Sequence, residues 1–315
     1  MPYELKIGTR GSQLALFQAN WVKDQLVQTH SDLKVTLIKI KTTGDKIQDA
    51  PLAKIGGKGL FVKEIEEALL QKRIDLAVHS IKDVPTELPQ GLHLSVITKR
   101  EDPRDVFVSR EGKTLKELPP NAKIGTSSLR RQAQLLHFRN DFELLPLRGN
   151  LDTRLKKLKT MNLDAIVLAL AGVKRLGLEE SITEIIPTDI SLPAIGQGAL
   201  GIETRLNDKK VEERIQFLND KDSWIAVSAE RAFLKKLEGG CQVPIAAFAR
   251  TLGAVLHMDG LVGTIDGKRL IRHHLEGPIE KAESLGIELA EVLLARGAKE
   301  ILDDVYQKSG PPVQI

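Results

Sequence analysis

Lys6-Ile7-Gly8-Thr9 near the start of the chain returns as Lys123-Ile124-Gly125-Thr126, and this pair of stretches decides the fold. Each copy reads as a short strand running into a turn that carries hydroxyls and arginine, and then into a helix. The first turn is Thr9-Arg10-Gly11-Ser12 and the second is Thr126-Ser127-Ser128-Leu129-Arg130-Arg131. A fainter echo pairs Ile74-Asp75-Leu76-Ala77-Val78 with Leu163-Asp164-Ala165-Ile166-Val167. Two echoes in the same order predict two α/β domains of like topology.

The patterns around the echoes agree. Leu14, Phe17, Trp21, Val22 and Leu26 recur near helical spacing behind Ser12, a candidate N-cap. Leu33, Val35 and Leu37 alternate as a half-buried strand, and Leu60 to Leu70 reads as a helix with Phe61, Ile65 and Leu69 on one face. This βαβ rhythm predicts α/β architecture with mostly parallel strands. Thr98 to Asp105 reads as a crossover between the halves, and the small, Gly-rich run Ser191 to Gly201 as a second hinge. A helical stretch is expected from Asn207 to Leu237. From Ile245 onward, three strand patterns and two helical ones (Glu280–Leu294, Lys299–Tyr306) predict a separate small α+β domain.

Composition narrows the function classes. The chain has 315 residues, 42% hydrophobic and 28% charged, an ordinary globular balance that excludes collagen, coiled coil and wholesale disorder. A single cysteine excludes an internal disulfide framework and a cysteine-cluster metal site. Aromatics at 4% are thin for a protein that stacks single-stranded bases. No signal peptide is visible, and the most apolar run, Leu163 to Val173, is too short to span a bilayer. A soluble cytoplasmic protein is expected.

The formal net charge is +4, but Lys123 to Arg175 holds eleven Lys/Arg against four acids. That segment is +7 and the remainder of the chain is −3. It reads either as a solvated basic helix face or as an anion site, since arginine forks match carboxylates and phosphates. Ligands of α/β domains sit at the carboxyl ends of strands, where helix N-termini favour anions. Both hydroxyl–arginine turns fall at such ends.

Three further places carry candidate chemistry. Cys241, in Gly239-Gly240-Cys241-Gln242-Val243-Pro244, has a loop setting and reads as a nucleophile or an attachment point, against the commoner fate of a buried thiol. Asp83 follows the strand Ile74–Val78 and places a carboxylate where ligands bind, or else serves as a turn residue before Pro85. Gly56-Gly57-Lys58-Gly59 lacks the spacing of a phosphate loop, but with Lys54 it suits a lid over an anion. His79 reads as a structural imidazole or a catalytic one.

These stretches together resemble the porphobilinogen deaminase (hydroxymethylbilane synthase) family over nearly the whole chain. The matching motifs are GTRGSQLAL (8–16), GGKGLFVKEIE (56–66), AVHSIKDVP (77–85), EDPRD (101–105), GTSSLRRQ (125–132), LRGNLDTRL (147–155), AGVKRLGL (171–178), LPAIGQGALGIE (192–203) and LEGGCQVPI (237–245). The resemblance implies a transferase of tetrapyrrole (haem- or chlorophyll-type) biosynthesis. It joins four porphobilinogen molecules head to tail, releasing ammonia, to give hydroxymethylbilane. It implies a dipyrromethane cofactor bound covalently to Cys241 by a thioether, with Asp83 catalytic. Lys82, Thr126, Ser127, Ser128, Arg130, Arg131 and Arg154 are expected to hold the cofactor. Arg10, Ser12, Arg148, Arg175, Lys54, Lys58 and Gln197 are expected to face substrate. No metal, nucleic acid or membrane partner is implied, and a monomer is.

The fold implied is α/β in three domains, the first two like type II periplasmic binding protein domains around a cleft. The expected boundaries are residues 1–98 with 199–216, 104–192, and 221–315. Two other classes compete. A solute receptor shares the two-domain cleft but has no use for a cofactor-bearing thiol. A nucleic-acid binder would suit the sequence pI near 9.0 but lacks a binding motif and aromatics.

Overall fold

A computed structural model describes residues 3–46, 59, 61–238 and 243–309. Lys54, Lys58 and Cys241 lie outside the described residues.

Strands β1 (Tyr3–Thr9), β2 (Leu33–Lys39), β3 (Leu76–Ser80) and β4 (Leu92–Ile97) form one five-stranded sheet with β10 (Leu200–Arg205), in the order β2-β1-β3-β10-β4. Strands β5 (Asp105–Ser109), β6 (Lys123–Gly125), β7 (Glu143–Leu145), β8 (Ala165–Ala169) and β9 (Glu184–Ile185) form a second, in the order β7-β6-β8-β5-β9. The two orders are one topology, with β6 in the place of β1, β8 in that of β3, and β5 in that of β10. The echoed tetrapeptides therefore lie on equivalent strands.

The fainter echo has a structural cause. Asp75 accepts from the Lys6 backbone N–H at 2.8 Å, and Asp164 accepts from the Lys123 N–H at 2.7 Å. In return the Asp75 and Asp164 N–H groups donate to the carbonyls of Lys6 and Lys123, each at 2.8 Å. One carboxylate thus ties the entry of the third strand to the first strand in both sheets. The glycines match as well. A Cβ on Gly8 would collide with Ile74, and one on Gly125 would lie 2.8 Å from Leu163.

In each sheet four of the five strands run the same way, as expected, and one is reversed. β1 runs parallel to β2 and β3, and β6 parallel to β7 and β8. β10 and β5 run antiparallel to their neighbours. Both are strands that the chain enters by crossing from the other sheet, so their direction is set by the crossover rather than by a βαβ unit.

The helices differ from expectation in three places. The helix Gln13–Thr29 starts where expected, with the Ser12 hydroxyl accepting from the Ala15 N–H. It buries Gln18, Ala19, Val22 and Leu26, however, and leaves Phe17 and Trp21 more than a third exposed. The stretch expected as one helix to Leu237 breaks into Lys209–Ile215 and Lys221–Lys236. Asp220 restarts it, capping the Ser223 N–H at 2.9 Å. The helix expected from Leu60 begins at Lys63, and Phe61 lies in the turn before it.

Strands β11 (Ile245–Leu252), β12 (Val255–Gly263) and β13 (Leu270–Pro278) form an antiparallel sheet packed on the helices Lys221–Lys236 and Ala282–Leu293. Phe233, Leu256, Met258, Leu289 and Leu293 are fully buried between them. These three sheets with their helices give the mixed α/β fold with a smaller α+β unit.

Candidate active site

The two segments that join the sheets, residues 98–104 and 186–199, run against each other. The Glu101 N–H donates to the Gly198 carbonyl at 3.2 Å. Gly198 has φ +93°, and a Cβ there would strike the Glu101 carbonyl, so glycine is required twice over. Arg100 donates from Nε to the Gln197 carbonyl at 2.8 Å. Its guanidinium also forks onto the fully buried Glu230 at 2.6 and 3.2 Å. Glu230 accepts as well from the Gly196 and Ala249 N–H groups at 2.6 and 2.8 Å. The next residue, Arg231, donates to the Val84 and Pro85 carbonyls at 3.1 and 2.6 Å. Two consecutive residues of one helix therefore fix the crossovers and the backbone just after Asp83.

Asp105, at the start of β5, is the centre of the site. It is 0% exposed. Its Oδ2 accepts from Arg130 at 2.8 Å and Ser191 at 2.9 Å, and its Oδ1 from Arg131 at 2.7 Å and Gln197 at 2.9 Å. Burial alone would raise this carboxyl, but Arg130 and Arg131 outweigh it and hold Asp105 far below the usual carboxylate range. Burial conversely lowers Arg130, with Asp105 opposing the shift. The sequence alone gives Asp105 no role, because a lone acid in a crossover carries no sign of the two arginines folded onto it.

Arg130 and Arg131 open the helix Leu129–Phe138, behind the N-cap Ser128. Each spends part of its fork on backbone, Arg130 on the Leu192 carbonyl at 2.7 Å and Arg131 on the Val167 carbonyl at 2.9 Å. Their Nε–H groups are buried and find no acceptor among the described residues, and the same holds for Nη2 of Arg148. Thr126 and Ser127 shape the turn before the helix. The Thr126 hydroxyl accepts from the Ser128 N–H at 3.2 Å, and the Ser127 hydroxyl from the Leu147 N–H at 3.0 Å.

Lys82 and Asp83 reach this group from the other sheet, on a single turn of 3-10 helix at the carboxyl end of β3. Burial drives Lys82 down to about 8, with Asp83 and Asp105 opposing and Arg131 and Arg130 reinforcing the shift. Arg154 is lowered to about 10 by burial, with Arg131 and Arg148 adding to it and Asp83 opposing. Lys82, Asp83, Asp105, Arg130, Arg131, Arg148 and Arg154 thus share one electrostatic environment. Asp83 itself is exposed, and its carboxylate makes no hydrogen bond among the described residues.

Of the other expected residues, Gln197 touches this group through Asp105, while Arg10, Ser12 and Arg175 have their bonds elsewhere. Arg10 forks onto Asp45 at 2.5 and 3.2 Å and lies 4.3 Å over the Phe61 ring. Ser12 serves as the helix cap. Arg175 donates to the Gly198 carbonyl at 2.6 Å, which joins it to the hinge. Gln197 also donates to the Pro103 carbonyl at 2.6 Å, and its buried Oε1 has no donor among the described residues. The +7 of residues 123–175 is not gathered at the site either. Arg139 pairs with Asp141, Lys174 with Glu101, and Lys156 and Lys159 are exposed.

His79 is paired with a buried carboxylate. Its Nε2 lies 2.9 Å from Glu203 Oε2, and both residues are buried. Glu66, 7% exposed, is pushed up to about 7 by burial and by the Glu203 carboxylate, with His79 opposing. The folded chain therefore holds this proton more tightly than the unfolded one. The stability so gained is complete below the ordinary carboxyl value and is lost as pH rises through about 7, at most about 3 kcal/mol. Thermal unfolding of wild type is expected to weaken from pH 5 to pH 8, and Glu66→Gln to flatten that fall. Equal slopes in both proteins would refute it.

With this geometry in view, comparison with known proteins is specific. The family model for the porphobilinogen deaminase dipyromethane cofactor binding domain matches residues 5–213, and that for the porphobilinogen deaminase C-terminal domain matches residues 224–295. Porphobilinogen deaminase of Pelobacter propionicus is 57% identical over 307 residues, covering 98% of this chain and 99% of that one. Those of Geotalea daltonii and Geobacter sulfurreducens are each 58% identical, over 97% and 96% of this chain and 96% and 95% of theirs. Among solved structures, the methionine binding protein MetQ is similar at a TM-score of 0.44 and 15% identity, covering 69% of this chain and 88% of that one. Matched by both family models and by near full-length relatives well above half identity, the chain belongs to the porphobilinogen deaminase family.

Proposed function

We propose that the protein condenses four molecules of porphobilinogen, releasing one ammonia for each, into the linear tetrapyrrole hydroxymethylbilane. Family membership over nearly the full chain carries the reading. The site agrees chemically. Each porphobilinogen unit brings an acetate and a propionate, so the bound chain gains two negative charges at every step. Arginine forks are the side chains suited to such groups.

The donor set fits a dipyrromethane bearing carboxylates. Arg130, Arg131 and Arg148 each present a buried guanidinium N–H with no acceptor among the described residues. In this reading Arg130 and Arg131, held in place by Asp105, bind carboxylates of the cofactor together with Arg154 and Lys82, while Thr126, Ser127 and Ser128 shape the turn that receives them. Cys241 is the attachment point through a thioether. When bound, the cofactor supplies the free pyrrole α-carbon to which the next unit is joined.

The chain's own contribution centres on Asp83. Loss of ammonia from porphobilinogen leaves a cationic methylene-pyrrolenine, and a carboxylate facing the pyrrole nitrogens stabilises that charge. Asp83 also has a free oxygen to take and return a proton at pyrrole nitrogen. Lys82, lowered to about 8, keeps positive charge beside the carboxylates while losing it more readily than a surface lysine. Arg10, Ser12, Arg148, Arg175, Gln197, Lys54 and Lys58 are assigned to incoming substrate. Gly198, which accepts from Arg175, places that arginine on the hinge between the sheets.

Among the described residues no helix is long and apolar enough to cross a membrane. A monomeric cytoplasmic enzyme is the form proposed. The test is direct. Incubated with porphobilinogen, the purified protein is expected to release one ammonia per molecule consumed and to yield one tetrapyrrole per four. Consumption without ammonia, or binding without consumption, would overturn the proposal in favour of a receptor.

A further inference from the structure

The outer face of the three-stranded sheet carries a cluster that the proposed reaction does not use. β12 and β13 pair with His257 opposite Glu276 and Asp259 opposite His274. Residues two apart on a strand share a face, so these four side chains stand on one side of the sheet. Leu256 and Met258 on the other side enter the core. His257 Nδ1 lies 3.1 Å from Glu276 Oε2. The rings of His257 and His274 stack with centroids 5.8 Å apart and planes 29° apart. One ligand atom from each of His257, His274 and Glu276 lies within 4.8 Å of the other two.

We propose that His257, His274 and Glu276 form a surface site for a borderline divalent transition metal ion, with Zn2+ the reference case. Two imidazoles and a carboxylate, with water in the fourth position, are a donor set that Zn2+ accepts. Ca2+ and Mg2+ prefer oxygen-only shells and are not matched by it. Asp259 stands outside the ligand set because Arg250 and Arg272 claim it at 3.3 and 3.5 Å. It lies 3.4 Å from His274 Nδ1, placed to orient that ring as carboxylates orient metal-bound imidazoles. The side chains of His274 and Glu276 are 43% and 64% exposed, so both are free to rotate inward and the ion needs no opening to enter. Bound there, it ties the edge strand β13 to β12.

Chelator-treated holoenzyme is titrated with Zn2+ by calorimetry and with Co2+ by visible absorption. One equivalent of each is expected to bind, with the intense bands of a four-coordinate Co2+ centre. His274→Ala is expected to weaken binding by at least about tenfold, and His257→Ala with His274→Ala to abolish it, with turnover unchanged in both. Zn2+ is also expected to raise the thermal midpoint of wild type but not of the double variant. Metal-free midpoints equal to wild type show that the variants fold. Absence of saturable binding to wild type, or equal affinity in the double variant, overturns the site.

Discussion

Asp105→Asn is expected to destabilise the protein by about 3–5 kcal/mol, the cost of breaking a buried ion pair from one side. The carboxylate is fully buried and neutralises two arginines that are themselves 5% exposed. Asparagine keeps the shape but removes the charge. Its amide would also turn a donor toward the guanidinium groups of Arg130 and Arg131, which only donate. The loss is expected to be the same from pH 5 to pH 9. Asp105 is held far below the ordinary range, so its contribution is present above the unfolded value and is lost only in strong acid. Urea unfolding measures it, and a shift smaller than about 1 kcal/mol, typical of a surface pair, would contradict the assignment. The same variant is expected to lose cofactor loading, because Arg130 and Arg131 lose the anchor that sets their forks.

Asp83→Asn is expected to behave in the opposite way. Asp83 is exposed, and its carboxylate bonds to no described residue, so stability should stay within about 0.5 kcal/mol of wild type. Turnover of porphobilinogen is expected to fall about 10²–10⁴-fold, the usual contribution of a positioned acid–base group. The backbone around it is held by the bonds from Arg231 to Val84 and Pro85, which the substitution leaves intact. Quench-flow assay of ammonia release, with unfolding curves on the same sample, separates chemistry from folding. Turnover near wild type would remove Asp83 from the reaction.

The repeated halves could be read from the chain because the repeat reflects physics that sequence records. Gly8 and Gly125 leave room for Ile74 and Leu163, and Asp75 and Asp164 close the same hydrogen-bond cycle, so selection on geometry leaves paired letters. The antiparallel course of β5 and β10 was not legible. It depends on where the chain crosses between sheets, and an apolar run of five or six residues carries no direction. The concentrated positive charge was legible as a count but not as a place, since pairs such as Arg139 with Asp141 spend it locally. Arg10 and Asp45, 35 residues apart, and Arg130 and Asp105, 25 apart, meet only through the tertiary fold. The motifs located Lys82, Asp83, Arg130, Arg131 and Arg154. They did not show that a carboxylate beneath them sets the arginines in position.

If this chain builds a tetrapyrrole on a cofactor held at Cys241, both the cofactor and the growing product are visible to intact-protein mass spectrometry. The purified protein is expected to exceed its sequence mass by two linked pyrrole units, and brief exposure to porphobilinogen to add a ladder of further equal steps, each one porphobilinogen less ammonia. Cys241→Ala is expected to show the bare sequence mass and no ladder. A wild-type protein at its sequence mass that gains no steps with porphobilinogen would contradict the account.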